Sequence, residues 1–165
     1  MKIAVLERNS VGTDIDVTCF EDFGEVTYYR NTVAADAAEK VKDVDIIIAN
    51  KAPMNEETLK DAPNVKLICE FATGFDNIDL EYCKKRRIKV ANVKDYSTAA
   101  VAQHTFALMF YVLHKLAYYD HSVKSGAYCT SAQFSHFEQK FSELDGKTWG
   151  IVGMGAIGKR VASHA

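Results

Sequence analysis

Hydrophobic and polar positions alternate in blocks along the first 93 residues: short apolar runs are separated by polar, helix-favouring stretches. That texture predicts strand–helix units building a parallel sheet. Five strands are expected, at Ile3–Leu6, Val26–Tyr29, Asp45–Ala49, Lys66–Glu70 and Lys89–Asn92. Within the third, Ile46-Ile47-Ile48 is apolar without alternation, as in a strand covered on both faces. Helices are expected at Ala34–Lys42, Glu56–Asp61 and Ile78–Arg87, with a weaker helical pattern over Thr13–Phe23. By pattern this is a flavodoxin-like α/β domain.

After Tyr96 the texture changes. Ser97 or Thr98 can cap a long helix running to about Lys124, and Gly126 stands just past its end as a stop signal. Phe106, Leu108, Met109, Phe110, Val112 and Leu113 surround most of its circumference, so this helix is expected to be buried between domains or against another subunit. Residues 127–146 show no period and read as a loop. Thr148–Val152 reads as a strand, a glycine turn follows, and Ile157–Ala165 begins a helix. The division expected is a flavodoxin-like domain over 1–97 and the start of a dinucleotide-binding domain over 98–165.

Composition narrows the classes. A chain of 165 residues is long enough to bury roughly 70% of its unfolded surface. Lys+Arg 20 against Asp+Glu 22 gives a net charge of -2, and no basic run is interleaved with aromatics, so nucleic acid is not the expected partner. Cys19, Cys69, Cys83 and Cys129 are scattered without a C-x-x-C pair or a histidine at ligand spacing, which fits a reduced cytoplasmic protein without a metal. The start, Met1-Lys2-Ile3-Ala4-Val5-Leu6-Glu7, is too short an apolar stretch for a signal peptide. The longest apolar run, Phe106–Leu113, is far below the roughly 20 residues that span a bilayer, so no membrane is expected.

Candidate chemistry enters with Gly153-Met154-Gly155-Ala156-Ile157-Gly158, a G-x-G-x-x-G sequence between an expected strand and an expected helix. In that context Gly153 allows the tight turn, Gly155 lets the backbone approach a pyrophosphate and Gly158 permits close packing, while the first amides of the new helix face the anion. Gly153, Gly155, Ala156, Ile157 and Gly158 are the expected cofactor contacts.

Three further blocks are Ala72-Thr73-Gly74-Phe75-Asp76-Asn77-Ile78-Asp79, Ile88–Val93, and Tyr96-Ser97-Thr98 continuing through Gln103-His104-Thr105. With Asp145–Val152 leading into the glycines, they resemble the D-isomer-specific 2-hydroxyacid dehydrogenases, in family order and over nearly the whole chain. Among subgroups the likeness is to hydroxypyruvate reductases (glycerate dehydrogenases). The resemblance implies a flavodoxin-like lobe holding a small 2-keto or 2-hydroxy acid, a Rossmann lobe holding NAD with NADP not excluded, and a homodimer in the full-length parent. It assigns the substrate carboxylate to backbone amides at Thr73 and Gly74, places Thr73 beside the nicotinamide as well, and gives Tyr96 a hydrogen bond to substrate. Lys51, past the third strand, is a further substrate candidate because ligands of open sheets collect at strand carboxyl ends; a solvated loop lysine is the plainer reading.

The family's catalytic arginine, glutamate and histidine match no position here, and neither does the acidic residue that reads the adenosine ribose. His104 lacks a carboxylate spaced to orient it, so no catalytic residue is assigned. Arg86-Arg87 stands where the family places a basic residue followed by glycine, which makes a left-handed cap at Arg87 uncomfortable. Gln103 replaces the commoner glutamate. The expectation is therefore an inactive N-terminal part of an NAD(P)-dependent dehydrogenase, with the alternative of a non-catalytic carboxylate-binding or protein-interaction module derived from one. The stretch after about Gly126 is expected to be loosely held, misdocked or paired between chains.

Overall fold

Five strands of four residues each carry the first half of the chain in a computed structural model that describes all residues from Met1 to Ala165. They are β1 (Lys2–Val5), β2 (Glu25–Tyr28), β3 (Ile46–Ala49), β4 (Leu67–Glu70) and β5 (Lys89–Asn92). All pairs are parallel, in the order β2-β1-β3-β4-β5. The chain divides into two compact units, Met1–Lys94 and Asp95–Ala165.

In the first unit the sheet separates two apolar clusters, which explains the unbroken run at Ile46–Ile48. Ala4, Leu6, Ile47, Ala49 and Ile68 point to one face, where Val41 of α1 (Ala34–Val41), Leu59 of α2 (Glu56–Leu59) and Cys83 of α3 (Leu80–Lys85) cover them. Ile3, Val5, Ile46, Ile48 and Cys69 point to the other, with Phe20 and Phe71 against them. On this second face the residues expected as a weak helix form a tight 3₁₀ turn over Thr18–Phe23, and an apolar groove of about 500 Å³ stays open along Ile46, Leu67, Cys69 and Val93.

Side chains close the helix ends. The Asn55 carboxamide oxygen accepts from Thr58 N at 3.1 Å at the start of α2, and the Asp79 carboxylate accepts from Tyr82 N at 2.9 Å at the start of α3. The Arg86 guanidinium donates to Leu59 O and Ala62 O at 2.8 and 3.0 Å, capping carbonyls at the end of α2 and just past it. α3 ends in a Schellman motif, with Ile88 N on Cys83 O at 2.8 Å and Arg87 N on Lys84 O at 3.1 Å. Arg87 occupies its left-handed position with φ 58.

The second unit begins with α4 (Thr98–Leu113), and here the expected single helix is broken. His114 leaves it, Lys115 takes φ 54, and α5 (Leu116–Lys124) restarts from the Lys115 carbonyl, which accepts from Tyr118 N and Tyr119 N. No glycine or proline marks this break in the sequence. Tyr118 and Tyr119 pack on the following segment: Tyr118 stacks on His136, and Phe141 lies 4.6 Å from His114. One helical turn, α6 (Ala127–Thr130), interrupts the expected loop.

The strand expected at Thr148–Val152 does not form. A strand exists through the ladder that pairs its amides and carbonyls, and this segment has no neighbouring strand. It is instead pinned by Trp149, 4.8 Å from Phe106 of α4, while α7 (Ala156–Ala162) packs on α4 and buries Val161. The all-round apolar α4 buries only Ala102 fully, leaving Leu108, Tyr111 and Val112 exposed. No helix is long and apolar enough to cross a membrane.

Arg87→Gly removes the side-chain penalty of a left-handed residue whose side chain is exposed. The variant is expected to be more stable by about 1 kcal/mol in urea unfolding, and an unchanged midpoint would contradict the strain at this cap.

Candidate functional site

A parallel sheet ends every strand at one edge, and the order of these five reverses between β1 and β3, the position at which open α/β sheets collect ligands. Glu7 follows β1 at this switch point. Its carboxylate accepts from Asn50 N at 2.6 Å and from Lys51 N at 3.0 and 2.9 Å, capping the end of β3. The Lys51 backbone is thereby fixed, while its side chain is exposed and in no ion pair.

The loop after β4 carries Thr73 and Gly74. Phe71 N makes the last ladder-like bond, to Ala49 O at 2.7 Å, and the chain then turns toward the end of β5. Thr73 Oγ1 donates to Val93 O at 2.8 Å, Asn92 Nδ2 donates to Thr73 O at 2.8 Å, and Val93 N donates to Ala72 O at 3.1 Å. These bonds use the loop's hydroxyl and carbonyls and leave the amides of Thr73 and Gly74 exposed with no acceptor in the chain. Gly74 is not left-handed, and an added Cβ would meet only Asp76 Oδ2 at 3.7 Å, so the turn itself does not require glycine.

Beneath this loop lies a group that the sequence reading passed over. Glu70, the last residue of β4, is 1% exposed. Its Oε2 accepts from Asn77 Nδ2 at 3.3 Å, and its Oε1 has no partner. Burial pushes its carboxyl up to about 7; the Asn77 N–H pulls the other way, the Glu7 carboxylate adds to the rise and the Lys51 ammonium opposes it. The available signal was a carboxylate closing an otherwise apolar strand; Glu7 carries the same signal after β1.

In the second unit, Tyr96 precedes α4 and is 63% exposed. The glycine sequence adopts the conformations that its spacing implies. Gly153 has φ 95, and Gly155 is the N-cap of α7. A Cβ on Gly153 or Gly155 would have nothing within 4 Å, leaving the turn open to a ligand, whereas a Cβ on Gly158 would lie 2.0 Å from Gly153 O. Gly158 is thus a requirement of the turn-to-helix packing. His104 is exposed, with no side-chain hydrogen bond to a carboxylate.

Two outcomes follow. Gly158→Ala is expected to displace α7, costing about 1–3 kcal/mol of its docking, and hydrogen exchange of Ile157–Ala162 should accelerate while the sheet is unaffected. For Glu70, the folded state keeps its proton up to about pH 7, whereas the unfolded chain releases it near 4.5. Stability contributed by the neutral acid is therefore complete below about 4.5 and is lost as pH rises through 7, a change on the order of 3 kcal/mol. Glu70→Gln should flatten this part of the stability–pH curve in chemical denaturation; a wild-type curve already flat there would contradict the buried neutral acid.

Comparison with known proteins gives this geometry a family. Residues 3–148 match the family model of the D-isomer specific 2-hydroxyacid dehydrogenase catalytic domain. The chain is 33% identical to a hydroxypyruvate reductase of Blautia hydrogenotrophica and 34% identical to a glycerate dehydrogenase of Methylorubrum extorquens, covering 100% and 99% of this chain and 52% of each relative. Among solved structures, the D-lactate dehydrogenase of Aquifex aeolicus complexed with NAD and lactic acid superposes with a TM-score of 0.77 at 31% identity, over 99% of this chain and 47% of that one. An acyclic imino acid reductase in complex with NADPH and D-Arg superposes with a TM-score of 0.80 at 27% identity, over 99% and 52%. This chain therefore spans about half the length of the relatives it matches, and it belongs to the D-isomer-specific 2-hydroxyacid dehydrogenase family.

Proposed function

We infer that this chain supplies the substrate-carboxylate site and the opening of the cofactor site of an NAD(P)-dependent oxidoreductase that interconverts 2-keto acids and D-2-hydroxy acids. The observation that carries this reading is the loop at Thr73–Gly74, whose amides are exposed and unpaired while its other polar groups are tied to the end of β5. Backbone N–H groups fixed in this way hold a carboxylate without a permanent cation beneath it. Lys51 adds a positive charge at the same sheet edge, and the resemblance gives Tyr96 a hydrogen bond to the substrate.

The fingerprint residues fit a dinucleotide by the space they leave. Gly153 and Gly155 present open backbone, Gly158 lets α7 start close to the turn, and the first amides of α7, at Ala156 and Ile157, lack partners inside the helix. When bound, a nicotinamide cofactor supplies the hydride. Protonating the forming alkoxide and clamping the keto acid need an acid and a cation, and no residue of these 165 matches the family's set. The chain is accordingly a binding unit without turnover, and the exposed apolar surface of α4 at Leu108, Tyr111 and Val112 is the seam on which the parent dimerises.

Nuclear magnetic resonance on the ¹⁵N-labelled chain tests these roles separately. Hydroxypyruvate should shift the amides of Thr73 and Gly74, NADH should shift those of Gly155–Gly158, and the two together should show no loss of nicotinamide absorbance. Shifts from hydroxypyruvate that bypass Thr73–Gly74 would overturn the carboxylate assignment. Steady oxidation of NADH would show that a proton donor lies among these 165 residues.

A further inference from the structure

The loops bearing Lys51 and Thr73–Gly74 are fastened to each other through Asn77. Met54 N donates to Asn77 O at 2.8 Å and Asp79 N to Met54 O at 2.9 Å, which makes a single parallel bridge between Met54 and Ile78. Asn77 Nδ2 also crosses to Ala52 O at 3.0 Å, one residue beyond Lys51, and the same nitrogen donates to Glu70 Oε2 at 3.3 Å. Asn77 thus joins three segments: the loop after β3, the end of β4 and the loop after β4.

The two carboxylates at this edge live in opposite surroundings. Both oxygens of Glu7 receive backbone amides, from Asn50 and Lys51. Glu70 is enclosed, with one long hydrogen bond and one bare oxygen. Glu7 and Lys51 are the charged groups acting on it, in opposite directions. A carboxyl enclosed as Glu70 is holds its proton more firmly than one in water. Asn77 Nδ2 carries two hydrogens, one for Ala52 O and one for Glu70 Oε2, and a neutral Glu70 leaves both bonds in place. Once ionised, the enclosed carboxylate repels Glu7 and draws water into the junction.

We propose that Glu70 is a positioning residue that acts as a neutral acid, holding Asn77 and through it the loops of Lys51 and Thr73–Gly74, so that its ionisation loosens both loops and weakens carboxylate binding. The binding half of this proposal rests on the carboxylate reading of Thr73–Gly74; the coupling of the loops to Glu70 does not.

The test is a pH titration of the ¹³C,¹⁵N-labelled chain, wild type and Glu70→Gln, from about pH 5.5 to 8.5. In the wild type, the Glu70 carboxyl carbon and the amides of Thr73, Gly74 and Asn77 should share one midpoint near 7. Exchange of the Met54 and Asp79 amides, corrected for the intrinsic rate, should rise about tenfold above that midpoint. The pyruvate dissociation constant read from Thr73 and Gly74 should rise about tenfold across it. Glu70→Gln should show no such midpoint and one pyruvate affinity throughout. Should this variant fail to fold, the wild-type comparison alone decides: amide midpoints that differ from that of the Glu70 carboxyl overturn the proposal. So does a midpoint that persists in Glu70→Gln, or Met54 and Asp79 exchange indifferent to Glu70. Equal pyruvate affinity on both sides of the midpoint overturns the positioning role and leaves the carboxylate site standing. Coupled midpoints without pyruvate binding at any pH support the loop coupling and overturn the carboxylate site instead.

Discussion

In a water-filled cell an apolar segment becomes a strand only when a neighbour pairs its amides and carbonyls, and that condition divides this chain. β3 has β1 on one side and β4 on the other, both parallel and in continuous register. Its three isoleucines can therefore point alternately into two separate apolar clusters with no backbone group left over. Thr148–Val152 has much the same character, but no strand lies beside it. It stays irregular, and side chains rather than the backbone hold it, chiefly Trp149 against Phe106.

The same accounting explains where chemistry can occur. Inside the inner strands β1, β3 and β4 the ladder uses the N–H groups on both sides, so these strands offer donors to a ligand only where the ladder ends. Because the sheet is parallel, the ends of β1, β3, β4 and β5 fall at one edge. Some of the freed amides are taken by the chain itself, as those of Asn50 and Lys51 are by Glu7. Others are left over, as at Thr73 and Gly74, because the bonds to Val93 O and from Asn92 Nδ2 occupy the loop's other polar groups. A binding loop in this architecture is a loop whose donors have been withheld from internal use.

How much of this was legible in the sequence follows from the range of the interaction concerned. Five strands and three helices were readable because periodicity and caps are local, and the blocks around Thr73–Gly74 and Gly153–Gly158 were readable because their spacing is local too. Arg87 was readable as an uncomfortable cap for the same reason, and its φ of 58 agrees. The break at Lys115 was not, because no glycine, proline or capping residue announces it and the helix resumes within one residue. Thr148–Val152 misled because its pattern is that of a strand while its pairing depends on other strands. Glu70 was hidden because its meaning comes from partners at other positions in the chain: Asn77 beside it, Glu7 and Lys51 across the edge.

Glu70 also runs against the economy of the core around it. Its neighbours on that face, Ile47, Ile68 and Met54, are fully buried and apolar, and an aliphatic residue in its place would need neither a donor for Oε1 nor a proton. Replacing a buried, poorly satisfied polar group by an apolar one of similar shape is commonly neutral or stabilising. Packing therefore gives no reason for a carboxyl at this position. What distinguishes the position is its location, at the strand end where the loops of Lys51 and Thr73–Gly74 meet through Asn77. Departures of a sequence from local optimality concentrate at functional sites, and here the departure and the candidate site share the same edge of the same sheet.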